Sequence, residues 1–114
     1  MKLTELIQKL NLSVRSAKTQ LDCEVTGGYA SDLLSDVLAN SEEGNLWITL
    51  QIHQNIVGVA SMKDLAGIIL VNNREPEQET LKKAEAEKLP IMVTEMPTFE
   101  LVGKLYSLGI VGTK

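Results

Sequence analysis

The chain has 114 residues, of which 44% are hydrophobic and 23% are charged, and its formal net charge is −4. This length and composition predict one folded domain over residues 1–114 and exclude extensive disorder. The negative charge argues against nucleic-acid binding, and no apolar run reaches the roughly 20 residues that cross a bilayer.

The first part of the chain predicts two helices that flank a strand. Leu3–Leu10 has the spacing of a short amphipathic helix, and residues 11–19 form a polar loop, so 1–19 is an N-terminal helix and loop. Gln20–Val25 alternates apolar and polar residues, which predicts a strand with one buried face. Thr26-Gly27-Gly28 ends this strand, and a 3.6-residue period from Ala30 to Leu38 predicts a helix.

The second part predicts three further strands that alternate with helices. The continuous apolar run Gly67–Val71 is typical of a strand buried on both faces of a parallel sheet. The other predicted elements are strands at Leu46–Ile52 and Pro90–Val93, and helices at Ile56–Leu65, from Pro76 to about Lys88, and from Pro97 to Gly109. This order predicts an α/β fold: a mostly parallel sheet with helices on its faces.

The loops after the predicted strands are the candidate binding site, because ligands of open α/β sheets bind at the carboxyl ends of parallel strands. Four polar segments are expected to meet there. The candidate ligand-binding residues are Thr26, Gly27, Gly28, Tyr29, His53, Asn55, Asn72, Arg74 and Thr94.

The strongest of these ligand-binding candidates can also be explained by a purely structural role. The backbone of Gly27 and Gly28 could approach an anion closely, or the pair could form a tight strand-to-helix turn without a ligand. His53, the only histidine, suits ligand contact, helix capping or a surface position. Arg74 could bind a phosphate or carboxylate, or form an exposed salt bridge with Glu75 or Glu77.

The cysteine and most of the aromatic residues are expected at buried positions. Cys23, the only cysteine, falls on the apolar side of its predicted strand, so a buried structural thiol is expected. Trp47 could anchor an interface or face a second buried side of the sheet. Phe99 and Tyr106 fit the core face of the last helix.

No set of metal ligands, group of catalytic residues or cofactor motif stands out in the sequence, and no apolar leader is present. A cytoplasmic, non-catalytic protein is therefore expected.

The run Val25–Asp36 resembles the DRTGG domain family, as do Asn55–Val57, Ala66–Asn72, Pro90–Ile91 and Thr94–Tyr106. Thr26, Gly27 and Gly28 match the last three positions of the family's name motif. Glu24 and Val25 stand where that motif has Asp and Arg, so this chain lacks the arginine of the motif.

The resemblance implies a fold similar to the N-terminal domain of HPr kinase. It also implies a regulatory or assembly role, because such domains accompany CBS-containing pyrophosphatases and phosphotransacetylases, often as dimers. From it we expect a homodimeric regulatory module that binds an adenine nucleotide or another small anion. The alternative is an assembly subunit for a redox enzyme, such as an iron-only hydrogenase system, or for a signalling partner. A small enzyme is the least favoured interpretation.

Overall fold

The computed structural model describes residues 1–113, in which helices and strands alternate from residue 27 onwards. The helices in this range are α1 Leu3–Leu10, α2 Leu34–Asn40, α3 Asn55–Met62, α4 Gln78–Ala86 and α5 Thr98–Ser107. The strands are β1 Ser13–Val14, β2 Gly27–Ala30, β3 Asn45–Thr49, β4 Gly67–Leu70 and β5 Ile91–Val93. Among the helices of residues 1–113, none has the length and apolar character needed to span a bilayer.

The five strands form one sheet in the order β1-β5-β4-β3-β2. Strands β2 to β5 are parallel to their neighbours, and β1 is antiparallel to β5. The predicted α/β fold with a mostly parallel sheet is therefore confirmed. Strand β1 lies inside the segment 11–19, for which the sequence predicts a loop. The sequence does not indicate this strand, because two residues are too few to produce a hydrophobic period.

Helices cover both faces of the sheet. This is required because successive side chains of the buried strands point to opposite faces, and both sets are buried. Leu46 and Ile48 of β3 pack in one cluster with residues of α1 and α5. Trp47 points to the opposite face, where it packs with residues of α3 and α4. Trp47 is fully buried, and its indole N–H donates to the carbonyl of Ser31 at 2.8 Å. The second buried face, and not an interface, therefore explains this residue.

The prediction of a sheet strand at Gln20–Val25 is wrong, although its alternation is real. The segment runs beside the N-terminus: the Leu3 N–H donates to the Cys23 carbonyl at 2.9 Å, and the Val25 N–H donates to the Met1 carbonyl at 3.0 Å. Leu21, Cys23 and Val25 pack against the core on the α1 side. Alternation indicates which side is buried, but it does not identify the neighbouring backbone.

Cys23 is only half-buried in this segment, so the expected burial of its thiol is found in part. Its thiol lies 3.9 Å from the Gln20 carbonyl oxygen and 4.0 Å from that of Ala66. Burial raises the pKa of the Cys23 thiol, and the carboxylates of Asp22 and Glu24 raise it further. Both effects disfavour the reactive thiolate.

The predicted turn at Thr26-Gly27-Gly28 and the helix start at Ala30 are also corrected. Gly27 begins β2, opposite Asn45, and the strand continues to Ala30, opposite Ile48. Helix α2 begins only at Leu34. The glycines resemble a turn signal, but here the C-terminal segment passes beside the strand. Its Val111 carbonyl accepts the Gly28 N–H at 3.0 Å, and it leaves no room for a Cβ atom on Gly27.

The last helix buries a narrower stripe than predicted. Leu101 and Leu105 are buried, whereas Phe99 is 88% exposed and Tyr106 is 56% exposed. The prediction that both aromatics face the core is therefore wrong. Helix α5 contacts the sheet along one side only, so its outer side stays uncovered within residues 1–113. The remaining predicted elements agree with the structure to within a few residues at each end.

Candidate functional site

The carboxyl ends of β2 to β5 lie at one edge of the sheet, because these strands are parallel. The loops that contain His53, Asn72 and Thr94 begin at this edge, as predicted. Thr26 and Gly27 instead lie at the opposite edge, where β2 begins. The expected meeting of all four segments is therefore wrong for the Thr-Gly-Gly segment.

Thr26 and Gly27 have structural contacts that account for their residue types. The Thr26 hydroxyl donates to the Glu43 carbonyl at 2.8 Å and accepts the Asn45 amide at 3.2 Å, which fixes the loop before β3. A Cβ atom on Gly27 would lie 2.7 Å from the Val111 carbonyl oxygen. These contacts favour the ligand-free interpretation of the glycine pair, although they place it in a strand and not in a turn.

Tyr29 is engaged within a polar cluster at the start of α2. Its hydroxyl lies 2.9 Å from both carboxylate oxygens of Asp36, which also accepts the Asn40 amide at 2.9 Å. Hydrogen bonds from Ser31, Tyr29 and Asn40 lower the pKa of Asp36. The bond to this carboxylate raises the pKa of the Tyr29 phenol. The cluster orders the segment between β2 and α2.

His53 and Arg74 lie at the carboxyl edge, in exposed positions. His53 Nδ1 is 3.0 Å from a carboxylate oxygen of Glu77, a partner that its sequence neighbours do not indicate. Of the two alternatives for Arg74, the salt bridge to Glu75 or Glu77 does not form, because these carboxylates pair with Arg15 and His53. Arg74 forms no ion pair among residues 1–113. Asn55, the first residue of α3, is also exposed.

An open cleft of about 710 Å³ lies between α1, β1, the end of β5 and α5. This volume falls in the range of small-molecule sites. The cleft is lined by Lys9, Leu10, Asn11, Ser13, Arg15, Asn73, Val93, Thr94, Glu95, Met96, Lys104, Ser107 and Leu108. Of the predicted residues, only Thr94 lines it. We call it the basic cleft.

Two loops at the carboxyl edge close one side of the basic cleft. The Asn73 N–H donates to the Thr94 carbonyl at 2.8 Å, and the Asn72 N–H donates to the Met96 carbonyl at 3.0 Å. Asn72 and Asn73 have positive φ angles of 56° and 58°, a conformation that asparagine tolerates better than most residues. These bonds bring the β4–α4 loop against the β5–α5 loop, so Asn73 and Thr94 reach the same cavity.

The charge of the basic cleft opposes that of the chain. Three cations, Lys9, Arg15 and Lys104, line it together with one carboxylate, Glu95. Arg15 donates two 2.8 Å hydrogen bonds to Glu75 outside the lining, and this pair raises the pKa of Arg15 and lowers that of Glu75. Lys9 and Lys104 form no ion pair within the described chain. The cleft thus has uncompensated positive charge.

Apolar side chains supply the other part of the surface: Leu10, Val93, Met96 and Leu108. A cavity with an apolar wall and unpaired lysines suits an organic anion, whose uncharged part displaces water while its charge meets the lysines. No group of three potential metal-ligating side chains of the His, Cys, Asp or Glu type occurs within residues 1–113.

Sequence reasoning missed Lys9, Arg15 and Lys104. They belong to the end of α1, the segment after β1 and the last turns of α5, and no spacing pattern relates them. They come together because β1 pairs with β5, which carries the N-terminal segment beside the carboxyl edge.

The fold is that of a small α/β module with a parallel core and an open cleft near the strand ends. The family model of the DRTGG domain matches residues 5–108. The chain therefore belongs to the DRTGG domain family.

A solved structure supports the same fold. It contains the CBS and DRTGG domains of the regulatory region of Clostridium perfringens pyrophosphatase, complexed with the activator diadenosine tetraphosphate. The match has a TM-score of 0.69 at 13% sequence identity, and it covers 98% of this chain and 50% of that chain. The chain thus spans about half the length of this structural relative. No curated protein matches it.

Proposed function

We propose that this chain is a non-catalytic regulatory module that binds a small organic anion in the basic cleft. The observation that carries the proposal is the placement of Lys9, Arg15 and Lys104 around one cavity of about 710 Å³ in a chain of net charge −4. Lys9 and Lys104 form no ion pair among residues 1–113, so an anion that enters the cleft gains direct contacts with uncompensated charge.

An adenine nucleotide is the ligand class we favour. Its phosphates match the two lysines, and its base matches the apolar surface of Leu10, Met96 and Leu108. Asn73, Thr94 and Ser107 offer amide and hydroxyl groups to the sugar or the base. The regulatory region of the pyrophosphatase, complexed with its adenine-containing activator, supports the same choice.

The absence of a catalytic role is part of the proposal. In the basic cleft, the hydroxyl of Thr94 already accepts the Met96 N–H at 3.2 Å, and no histidine or cysteine lines the cavity. Among the described residues that line the cavity, no hydroxyl is paired with a basic side chain. Binding without turnover is therefore the behaviour expected of this site.

Calorimetric titration tests the proposal with AMP, ATP, diadenosine tetraphosphate, pyrophosphate and acetyl phosphate. The double variant Lys9→Gln/Lys104→Gln is expected to lose affinity by about a hundredfold or more, because it removes two charge-assisted contacts of about 1.5–3 kcal/mol each. The matched control Lys18→Gln/Lys82→Gln removes the same charge from exposed positions outside the cleft. It is expected to bind nearly as the wild type does.

Three outcomes distinguish the parts of the proposal. Failure of every ligand to bind at millimolar concentration would overturn it. Equal losses of affinity in the two double variants would show that binding depends on the overall charge of the chain and not on the basic cleft. If pyrophosphate binds as tightly as ATP, the proposal of an anion site is supported, but the proposal that the ligand is a nucleotide is contradicted.

A further inference from the structure

The C-terminal end of the chain lies against the Thr-Gly-Gly segment, none of whose first two residues lines any part of the basic cleft. The Gly28 N–H donates to the Val111 carbonyl at 3.0 Å. The Thr113 hydroxyl donates to the side-chain oxygen of Asn45 at 3.4 Å, and Asn45 is fully buried. We call residues 111–113 the C-terminal strap.

The other two residues of the Thr-Gly-Gly segment also fit the strap. The Thr26 hydroxyl accepts the Asn45 amide at 3.2 Å, so Asn45 presents its oxygen to the strap. A Cβ atom on Gly27 would lie 2.7 Å from the Val111 carbonyl oxygen and 2.9 Å from Thr113 Cγ2. The strap therefore accounts for these residue types without a ligand.

Helix α5 connects the strap to the basic cleft. Lys104, Ser107 and Leu108 line the cleft at the end of this helix. Gly109 then turns the chain with a φ angle of 93°, a left-handed conformation that glycine commonly adopts after a helix. Only Gly109 and the buried Ile110 separate the cleft residue Leu108 from the strap. The strap and the cleft side of α5 are thus mechanically close.

The flank of α5 that faces β2 is incompletely packed. A groove of about 90 Å³ lies there, to which β2 contributes Gly28 and Ala30. Helix α5 contributes Val102 and Tyr106 to the same groove. Atoms beside a void lack van der Waals partners, so the sheet holds this flank less firmly than a filled core would. Val111 also lines the groove, so the strap supplies contacts that β2 lacks.

We propose that the C-terminal strap positions α5 for anion binding in the basic cleft, and that the Thr-Gly-Gly segment is its docking site. This inference rests on the proposed function. The docked strap holds Lys104 and Ser107 at the cleft, whereas release of the strap lets α5 move toward the groove. Thr26, Gly27 and Gly28 are therefore positioning residues that touch no anion.

Calorimetry with ATP compares the full chain with a chain truncated after Ile110. Truncation is expected to weaken ATP binding by about fivefold or more, because α5 is no longer held at its C-terminal end. Gly27→Ala is expected to weaken binding in the same direction, since its Cβ atom displaces the strap. In the truncated chain, Gly27→Ala is expected to cause no further loss of affinity, because both changes act through the strap.

Val57→Ala is the control for a general loss of stability. Val57 is fully buried in α3, in the core cluster on the other face of the sheet from α5. The variant removes core volume without touching α5 or the strap. Below its melting transition it is expected to bind ATP as the wild type does.

Hydrogen exchange at the Gly28 amide supplies a measurement that a purely structural role would not change. This amide is bonded to the strap, so its exchange rate reports strap release. Saturating ATP is expected to slow this exchange by about the factor by which truncation weakens binding, because coupling between two sites is reciprocal. In Lys9→Gln/Lys104→Gln, the same ATP concentration is expected to leave the exchange rate nearly unchanged.

The outcomes separate this inference from the proposed function. A full chain that binds no anion overturns the proposed function, and the inference with it. If the full chain binds ATP and the truncated chain binds it equally well, only the inference is overturned. It is also overturned if Val57→Ala loses as much affinity as Gly27→Ala, or if bound ATP leaves the exchange of the Gly28 amide unchanged.

Discussion

Arg15 and Glu75 lie 60 residues apart in the chain and meet through two hydrogen bonds of 2.8 Å at the basic cleft. Arg15 Nε and Nη2 donate to the two carboxylate oxygens, so the pair has bidentate geometry. It joins the segment after β1 to the loop before α4. Both side chains are more than one-third exposed, so the pair contributes at most about 1 kcal/mol to folding.

The Glu75→Gln variant is expected to bind anions more tightly in the basic cleft. Glu75 neutralises Arg15, and its loss frees the guanidinium for the ligand. The expected gain is about threefold to tenfold in affinity, measured by calorimetry with ATP. The unfolding free energy is expected to fall by less than about 1 kcal/mol. Weaker binding by this variant would mean that Glu75 holds Arg15 in its binding position.

The Asp36 cluster predicts a pH dependence of stability. Since hydrogen bonds lower the Asp36 pKa in the folded chain, its stabilising effect is fully present above the ordinary carboxyl pKa near 4. This effect is lost as the pH falls through the lower folded-state pKa. The unfolding free energy of Asp36→Asn is therefore expected to change less than that of the wild type between pH 7 and pH 3.

The phenol of Tyr29 gives a second test of the same cluster. Tyr29→Phe keeps the Asp36 carboxylate but removes one of its donors, so it is expected to flatten the pH profile partially. Urea unfolding, followed by the fluorescence of the buried Trp47, measures all three proteins. A profile of Asp36→Asn as steep as that of the wild type would contradict the prediction.

Gly27→Ala is expected to destabilise the chain by about 1–3 kcal/mol. Its Cβ would lie 2.7 Å from the Val111 carbonyl oxygen and 2.9 Å from Thr113 Cγ2. In Gly28→Ala, the nearest atoms lie at 3.8 Å, so this neighbouring variant is the control and is expected to be nearly neutral. Chemical denaturation measures both.

Truncation after Ile110 checks the cause of the Gly27 effect. If the C-terminal segment excludes the Cβ atom, Gly27→Ala costs much less in the truncated chain than in the full chain. An unchanged cost would assign the effect to the β2 backbone itself.

Ser16→Ala is expected to lower the unfolding free energy by about 1–3 kcal/mol. Ser16 is buried, and its hydroxyl donates to the Leu89 carbonyl at 2.8 Å and accepts the Ile91 N–H at 3.0 Å. The variant leaves two buried backbone groups without this partner. Ser107→Ala, at an exposed hydroxyl that donates to the Gly103 carbonyl, is expected to stay within about 0.5 kcal/mol. Similar losses in both variants would contradict the bridging role.

The candidate site was predictable only in part. Thr94 and the loop that contains Asn73 could be located because each follows a continuous apolar run that predicts a buried strand. Lys9 and Lys104 could not be identified, since they lie 95 residues apart on two helices whose polar faces resemble any solvent-exposed face. The Thr-Gly-Gly segment was misplaced because glycine permits both a turn and the close passage of another backbone.

The sequence by itself determined the order of the elements from β3 onwards, the parallel core and the strand residues that fill it, because strand and helix periods are local consequences of burial. Only the tertiary structure decided which distant segments of the chain lie next to each other. The pairing of β1 with β5, the tail beside Gly27 and the cations around the basic cleft depend on contacts between distant segments. No local pattern records such contacts, since each requires a partner that the neighbouring residues do not specify.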